Sequence, residues 1–460
     1  MNITNDETPA ATATIASPLQ LPCGVRLANR LVKAAMTEGL ADTRNRATPG
    51  HERLYRMWAD GGAGALLTGN VQVDRRYMER PGNVAIDGPQ SAEAHAALRA
   101  FADAGTRGGT QLWMQLSHAG RQTPISLARE PVAPSARALG LPGGHFGKPR
   151  ALTEEEILDV VARFAYAARV ARETRFSGVQ LHAAHGYLLS EFLSPDVNLR
   201  NDAWGGSLEN RARLLLECVR AVRDAVGRDF PVGVKLNSAD FQRGGFSHED
   251  ALQVAQWLDA EHLDFLEISG GTYERPAMSD PGDVAVDADR LVHLRASTIA
   301  REAYFLEYAR DIRAVTTLPL LVTGGFRSTD GMNAALASRA TDMIGLGRPL
   351  CVDPGLPARL LDGRDRTCRA WESELRLGPG RWLGPASPID MVKLINGMGV
   401  ANWFMFQILA LGETGRANTN VGLLRAFLSV QRRDRRDAAA LADRTSNAVP
   451  LADRTHGAAR

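Results

Sequence analysis

Short apolar runs alternate along this chain with longer amphipathic stretches. The runs cover residues 31–35, 65–68, 111–116, 178–181, 231–236, 265–268, 320–323 and 343–346. Their continuous apolar character predicts strands buried on both faces. Between them, apolar residues recur at helical spacing over 91–104, 153–173, 208–226, 247–260 and 329–337. Two of these stretches open on capping signatures, with Thr153 and Ser247 each followed by carboxylates that offset the helix dipole in the first turn. Strand and helix alternation implies a parallel sheet with helices outside it. Eight strand-like runs over about 340 residues predict an α/β protein of the (β/α)8 TIM-barrel class, since no G-x-G-x-x-G loop follows the first strand as a doubly wound sheet would usually show.

Four units are expected: a disordered leader over 1–17, the barrel over 18–365, a helical C-terminal extension over 366–430 and a low-complexity tail over 431–460. Two long polar loops, 131–150 and 270–292, depart from the repeating unit and are expected over the C-terminal mouth of the barrel. In the extension, residues 400–411 are strongly apolar, but Lys393, Asn396, Asn402 and Gln407 interrupt the wider window. Packing on the barrel or on a second subunit, as a homo-oligomer, is expected there rather than a membrane span.

Composition narrows the chemistry. Lys and Arg number 54 against 52 Asp and Glu, a net charge of +2, so no global field invites nucleic acid and a small-molecule substrate is expected. The four cysteines form no C-x-x-C pair, and residues 1–8 show no basic segment followed by an apolar run, so a cytoplasmic location is expected.

The end of the fourth run carries candidate catalytic groups in His182-Ala-Ala-His185-Gly-Tyr187. Two imidazoles there can donate to one substrate oxygen and a phenol can deliver a proton; a His-x-x-His metal pair or two core histidines are the competing readings. After runs seven and eight come Gly324-Gly325 and Gly347-Arg348, on the two loops where barrel enzymes commonly hold a phosphate. If that ligand is FMN, Gln115 and Lys235 are placed for the pyrimidine edge of the ring, Met36 for its face and the Thr37 hydroxyl for O4. Lys235 reads equally as half of a buried ion pair with Asp240, and Gln115 as a satisfied interior amide.

These residues, with Asn29-Arg30-Leu-Val, Gln115-Leu-Ser-His-Ala-Gly-Arg121, Leu181 through Pro195, Asn198 through Ser207 and Leu208-Glu-Asn-Arg211, resemble the Old Yellow Enzyme family over about residues 18 to 365. The resemblance implies a non-covalent FMN held by Ala35, Met36, Thr37, Gln115, Lys235, Gly324, Gly325, Gly347 and Arg348, and NAD(P)H as reductant. It also implies that His182 and His185 bind the activating oxygen of an electrophilic alkene, with Tyr187 as proton donor, in a ping-pong ene-reductase. Other readings are an NAD(P)H oxidase, a metal-dependent barrel hydrolase and a non-catalytic flavin-binding scaffold. Two departures stand out: Ala34-Ala35 where the family often has Pro before the Met, and Asn70, which would add a polar contact to the flavin.

Overall fold

The computed structural model describes residues 12–141, 144–271, 306–378, 380, 382–385 and 387–442. Its centre is a closed barrel of eight parallel strands. These are β1 (Leu31–Lys33), β2 (Ala65–Gln72), β3 (Gln111–Ser117), β4 (Gly178–Ala183), β5 (Val232–Asn237), β6 (Phe265–Ser269), β7 (Leu320–Thr323) and β8 (Met343–Leu346). Each strand pairs with its neighbours in chain order, and β8 closes on β1 through Ile344 opposite Leu31. All eight coincide with the apolar runs of the sequence. The largest difference is β2, four residues longer than its run 65–68, because polar Asn70 and Gln72 are also buried in the sheet.

The helices around the barrel include α1 (Pro49–Asp60), α2 (Ala92–Gly105), α3 (Glu154–Glu173), α4 (Leu208–Val226), α5 (His248–Asp259), α6 (Leu306–Arg313), α7 (Thr329–Ala337) and the short α8 (Leu356–Leu361). Start signals act locally as the sequence implies. The Thr153 hydroxyl accepts from Glu156 N at 3.3 Å while the Glu156 carboxylate accepts from Thr153 N at 2.9 Å, a reciprocal capping box. In the first turn of α4, Asn210 Nδ2 donates to Gly205 O at 3.0 Å and Arg211 Nε donates to Gly206 O at 3.3 Å, which ties the long loop after β4 to the helix that follows.

Two cores follow from strand alternation. Outward residues such as Leu66, Leu112, Val179 and Val234 meet the helices in one large cluster. Inward residues Val32, Leu67, Trp113, Phe265, Leu321 and Met343 fill the barrel floor together with Leu21 and Leu27 of an N-terminal hairpin, Leu19–Gln20 with Arg26–Leu27, that plugs its base. Trp113 and Phe265 stack at 4.4 Å between centroids. Gly233 makes room for that stack, since a Cβ there would run into the Phe265 ring.

Several boundaries depart from expectation. Residues 12–17 depart from the expected leader, because Ile15 is buried and its amide donates to Asn333 Oδ1 at 2.9 Å; an apolar side chain with a pocket and a backbone partner is held in place whatever its neighbours' composition. The tail expected from 431 is helical through Ala442, because α10 (Leu423–Ala442) continues across the arginine-rich segment and buries Val430, Ala438 and Leu441 on one side. Residues 1–11 and 443–460, and the 270–292 loop beyond Gly271, lie outside the described residues. The loop 131–150 forms a small parallel sheet with its flank, Val132 opposite Arg150.

The apolar stretch of the extension lies in α9 (Asp390–Thr414), which packs on α1 and α10. Trp403, Ile408 and Leu411 are buried, and the interrupting Gln407 is paired through both ends of its amide, to Asn418 O at 2.9 Å and Asn418 N at 2.7 Å. Among the described residues no helix is long and apolar enough to cross a membrane. Replacing Gly233 with Ala should lower stability by about 1–3 kcal/mol through overpacking against Phe265; thermal unfolding of the purified protein would measure it, and an unchanged melting temperature would contradict the packing account.

Candidate active site

At the end of β4 the chain turns abruptly. His185 has φ +63° and Gly186 φ +79°, left-handed backbone that a histidine adopts only where its surroundings enforce it. The enforcing contacts are His185 N to Asn237 Oδ1 at 3.1 Å and His185 Nε2 to Ser269 Oγ at 2.6 Å, which draw it toward the ends of β5 and β6. The turn brings Tyr187 back over His182. The His182 ring lies 5.0 Å from that of His185 and 4.8 Å from that of Tyr187, both edge to face. His182 Nδ1 accepts from Ala184 N at 3.2 Å, so the neutral ring carries its proton on Nε2 and remains a donor there.

Both imidazoles titrate well below the ordinary histidine range. Burial disfavours their cations first; His185 and then Lys235 add repulsion for His182, and Lys235 does so for His185. The pair is thus held neutral, as hydrogen-bond donors rather than charges. Among the described residues no group of three or more His, Cys, Asp or Glu is arranged to hold a metal.

Below the rings runs a polar layer across the barrel interior. Gln115 Nε2 donates to Gln180 Oε1 at 2.6 Å, Gln180 Nε2 donates to Glu267 Oε2 at 2.8 Å, and Glu267 Oε1 receives both Lys235 Nζ at 3.1 Å and the Thr323 hydroxyl at 2.7 Å. Lys235 is therefore ion-paired, but not with Asp240. The register sets Glu267 directly beside Lys235 on the neighbouring strand, whereas Asp240, on the loop after β5, accepts from Asn237 Nδ2 at 2.9 Å and Phe246 N at 3.0 Å. Glu267 and Gln180 were missed in the sequence, although a carboxylate inside the apolar run Phe-Leu-Glu-Ile-Ser was a signal, because a buried charge there requires a partner.

Asn70 reaches the inner face through a bulge. The β2–β3 register shifts between Leu67 and Asn70, so that Asn70 stands opposite Gln115 and Gln72 opposite Ser117. Three groups behind the strand hold the bulge open: Lys33 Nζ donates to Leu67 O at 2.6 Å, Glu38 Oε1 accepts from Gly69 N at 2.7 Å, and the Tyr55 hydroxyl joins Glu38. Burial pushes the Lys33 ammonium down to about 8. Asn70 Nδ2 donates to Glu79 Oε2 at 2.8 Å, while Asn70 Oδ1 is buried with no hydrogen-bond partner among the described residues. The Thr37 hydroxyl also donates to Glu79, a residue the sequence reading did not single out. Ala35 and Met36 are half-buried on the loop leaving β1, and Met36 Sδ lies 3.2 Å from Cys351 Sγ.

At the opposite side of the mouth, Gly324 and Gly325 follow β7 with φ of +116° and +82°, and Ser328 caps α7 by accepting from Gly331 N at 3.1 Å. Gly347, after β8, faces open space: a Cβ there would meet nothing nearer than Met36 Sδ at 3.9 Å. Arg348 and Arg327 both contact Glu372 of the extension, Arg348 at 3.2 Å. Burial of Glu372 favours its neutral form, but Arg327 and Arg348 outweigh this and keep the carboxyl below its usual range. The residues present fit FMN. Left-handed glycines before a helix N-terminus and two arginines suit its phosphate, and the orphaned Asn70 Oδ1 with the interior Gln115 and Lys235 suits a polar ring edge.

The profile of the NADH:flavin oxidoreductase / NADH oxidase family matches residues 15–367. The chain belongs to this family. Its members use FMN with NAD(P)H as reductant, and the chain is 39% identical to the NADH-dependent flavin oxidoreductase iliE of Neonectria sp. (strain DH2) over 356 residues, 74% of this chain and 46% of that protein. It is also 39% identical to the NADH-dependent flavin oxidoreductase iccE of Talaromyces variabilis over 362 residues, 75% of this chain and 85% of that one. The chain thus spans less than half the length of the first relative but most of the second. Among solved structures, the old yellow enzyme homologue from Zymomonas mobilis superimposes with a TM-score of 0.63 at 25% identity, covering 78% of this chain and 96% of the other.

The depressed histidines make the stability of the fold pH-sensitive. Folded His182 and His185 bind protons less readily than unfolded ones, so their contribution is complete above the unfolded value of about 6.5 and is lost as pH falls below it. Unfolding free energy should drop by up to about 1.4 kcal/mol per pH unit for each group between about pH 6.5 and 5. A double His182→Asn, His185→Asn variant should show a shallower slope in denaturant titrations; an unchanged slope would contradict the assignment.

Proposed function

We propose that this flavin oxidoreductase is an ene-reductase that reduces the C=C bond of α,β-unsaturated carbonyl or nitro compounds with NAD(P)H. The observation that carries the reading is the cluster of His182, His185 and Tyr187, two neutral imidazoles and a phenol at the barrel mouth, with the His182 ring packed edge to face against both of the others. Bound FMN supplies reversible hydride transfer. The chain supplies the rest. His182 and His185 donate to the carbonyl or nitro oxygen, where negative charge grows as the β-carbon is reduced; each such bond contributes about 2–4 kcal/mol in a water-poor site. Neutral imidazoles suit this role, because a donor with a depressed proton affinity polarises the oxygen without trapping the anion as a stable ion pair. Tyr187 delivers its hydroxyl proton to the α-carbon.

Ala35, Met36, Thr37, Asn70, Gln115, Lys235, Gly324, Gly325, Gly347 and Arg348 hold the flavin in this reading. Lys235 keeps a cation beneath the pyrimidine edge, moderated by Glu267 at 3.1 Å. Arg348, with Arg327, would supply charge-assisted donors to the phosphate. The free thiols of Cys23, Cys218 and Cys351 support a reducing, cytoplasmic location.

Purified protein reconstituted with FMN should be bleached by NADH or NADPH without oxygen and recover its absorbance on adding cyclohexenone. Replacing Tyr187 with Phe should slow that recovery by on the order of 100-fold or more while leaving the bleaching rate within about threefold, since only the second half-reaction needs the acid. Recovery with oxygen but with no enone or nitroalkene would favour an NAD(P)H oxidase.

A further inference from the structure

Glu79 belongs to the loop between β2 and α2, and four donors converge on its carboxylate. Oε2 accepts from the Tyr187 hydroxyl and from Asn70 Nδ2 at 2.8 Å; Oε1 accepts from the Thr37 hydroxyl and from Asn83 Nδ2 at 3.3 Å. Two hydroxyls and two amides on two oxygens are the partners an acceptor-only carboxylate takes. The loop that carries it is held from both sides. Asn83 Oδ1 accepts from Arg80 N at 2.8 Å, and the Arg80 guanidinium is paired with Asp434 of α10 at 2.6 Å. Glu79 is therefore placed rather than adrift. Tyr187 is 4% exposed whereas Glu79 is half-buried, so within this pair the carboxylate is the group nearer to water.

An acid that is buried and spent once per turnover has to be recharged. We propose that Glu79 is the positioning residue and proton relay that recharges Tyr187, an inference that rests on the ene-reductase reading. When Tyr187 protonates the α-carbon, its O–H bond breaks and a C–H bond forms with the electron pair of the enolate, leaving a tyrosinate. Two negative oxygens then face each other at hydrogen-bond distance, which raises the proton affinity of both. Glu79 takes a proton from water and passes it to the Tyr187 oxygen, and the hydroxide left behind is neutralised by buffer. One solvent proton is consumed for each hydride that NAD(P)H provides, and no further oxidant or reductant enters. The same contact aims the phenol: with its oxygen tied to Glu79 and its ring against His182, Tyr187 has one orientation at the mouth.

Two measurements test this. In protein without substrate, ultraviolet titration of tyrosinate, with Glu79→Gln compared against Glu79→Gln combined with Tyr187→Phe, isolates the Tyr187 signal. Removing the carboxylate charge should lower its ionisation by about one pH unit or more relative to wild type, and an unchanged titration overturns the pairing. In kinetics, pre-reduced Glu79→Gln should convert a first equivalent of enone within about threefold of the wild-type rate, because Tyr187 still holds its proton and the Gln amide oxygen still accepts from its hydroxyl, yet turn over at least about tenfold more slowly in steady state. Formate or acetate should restore steady-state turnover in Glu79→Ala, and Glu79→Asp, which keeps the charge, should retain more of it than Gln. Equal slowing of first and later turnovers, or no rescue by small acids, overturns the relay. A wild-type enzyme that recovers with no enone overturns the ene-reductase reading and the relay with it, and the tyrosinate shift still decides whether Glu79 and Tyr187 form the pair.

Discussion

The site depends on one buried charge pair. Lys235 and Glu267 stand side by side on β5 and β6, 3% and 0% exposed in their side chains, at 3.1 Å. Neither ion would be tolerated alone in the barrel interior, where an unpaired charge costs several kcal/mol. Together they organise their surroundings. Glu267 spends its remaining acceptor capacity on Gln180 and Thr323, Gln180 fixes Gln115, and the residual positive field of Lys235 joins burial in keeping His182 and His185 neutral. A continuous polar layer across the barrel interior and a field that adds to burial in keeping the two imidazoles uncharged both follow from this pair.

A second constraint acts on the side opposite the glycine loops after β7 and β8. The bulge in β2 turns Asn70 and Gln72 inward, and its released backbone groups are satisfied by Lys33 and Glu38 from behind the strand. Inside the mouth, Asn70 and Glu79 join Thr37 to Tyr187. The strand-one loop, the strand-two loop and the turn after β4 are therefore one hydrogen-bonded unit. The extension reaches both sides of the site, through Glu372 at Arg327 and Arg348 and through Asp434 at Arg80 beside Glu79.

Much of this was legible in the chain. Eight continuous apolar runs could be buried only as strands covered on both faces, and helical periodicity with hydroxyl caps marked what covered them. The His-x-x-His-x-Tyr spacing at a strand end and the paired glycine loops after the last two strands identified the mouth and its two ends, because those features depend on residues adjacent in sequence. The extension was less legible: the arginine-rich stretch after 430 reads as solvated tail, and its helix is stabilised by apolar residues on a single face against the rest of the fold.

What only the tertiary structure decided is which distant residues meet. Local pattern placed Lys235 in a strand but could not choose between Asp240, five positions away, and Glu267 on the next strand; barrel closure and register made that choice. A bulge leaves no trace in hydrophobicity, so the inward turn of Asn70 had to come from Lys33, Glu38 and Tyr55, which the fold brings behind β2. Glu79, unremarkable in a polar loop, meets Tyr187 more than a hundred residues further along because both loops end at the same mouth. The sequence by itself determined the elements and the chemistry available at their ends, since both follow from local periodicity and residue type. The partners of each charge and proton were settled by strand order and register, because electrostatics and hydrogen bonding act over a few ångströms of space regardless of distance along the chain.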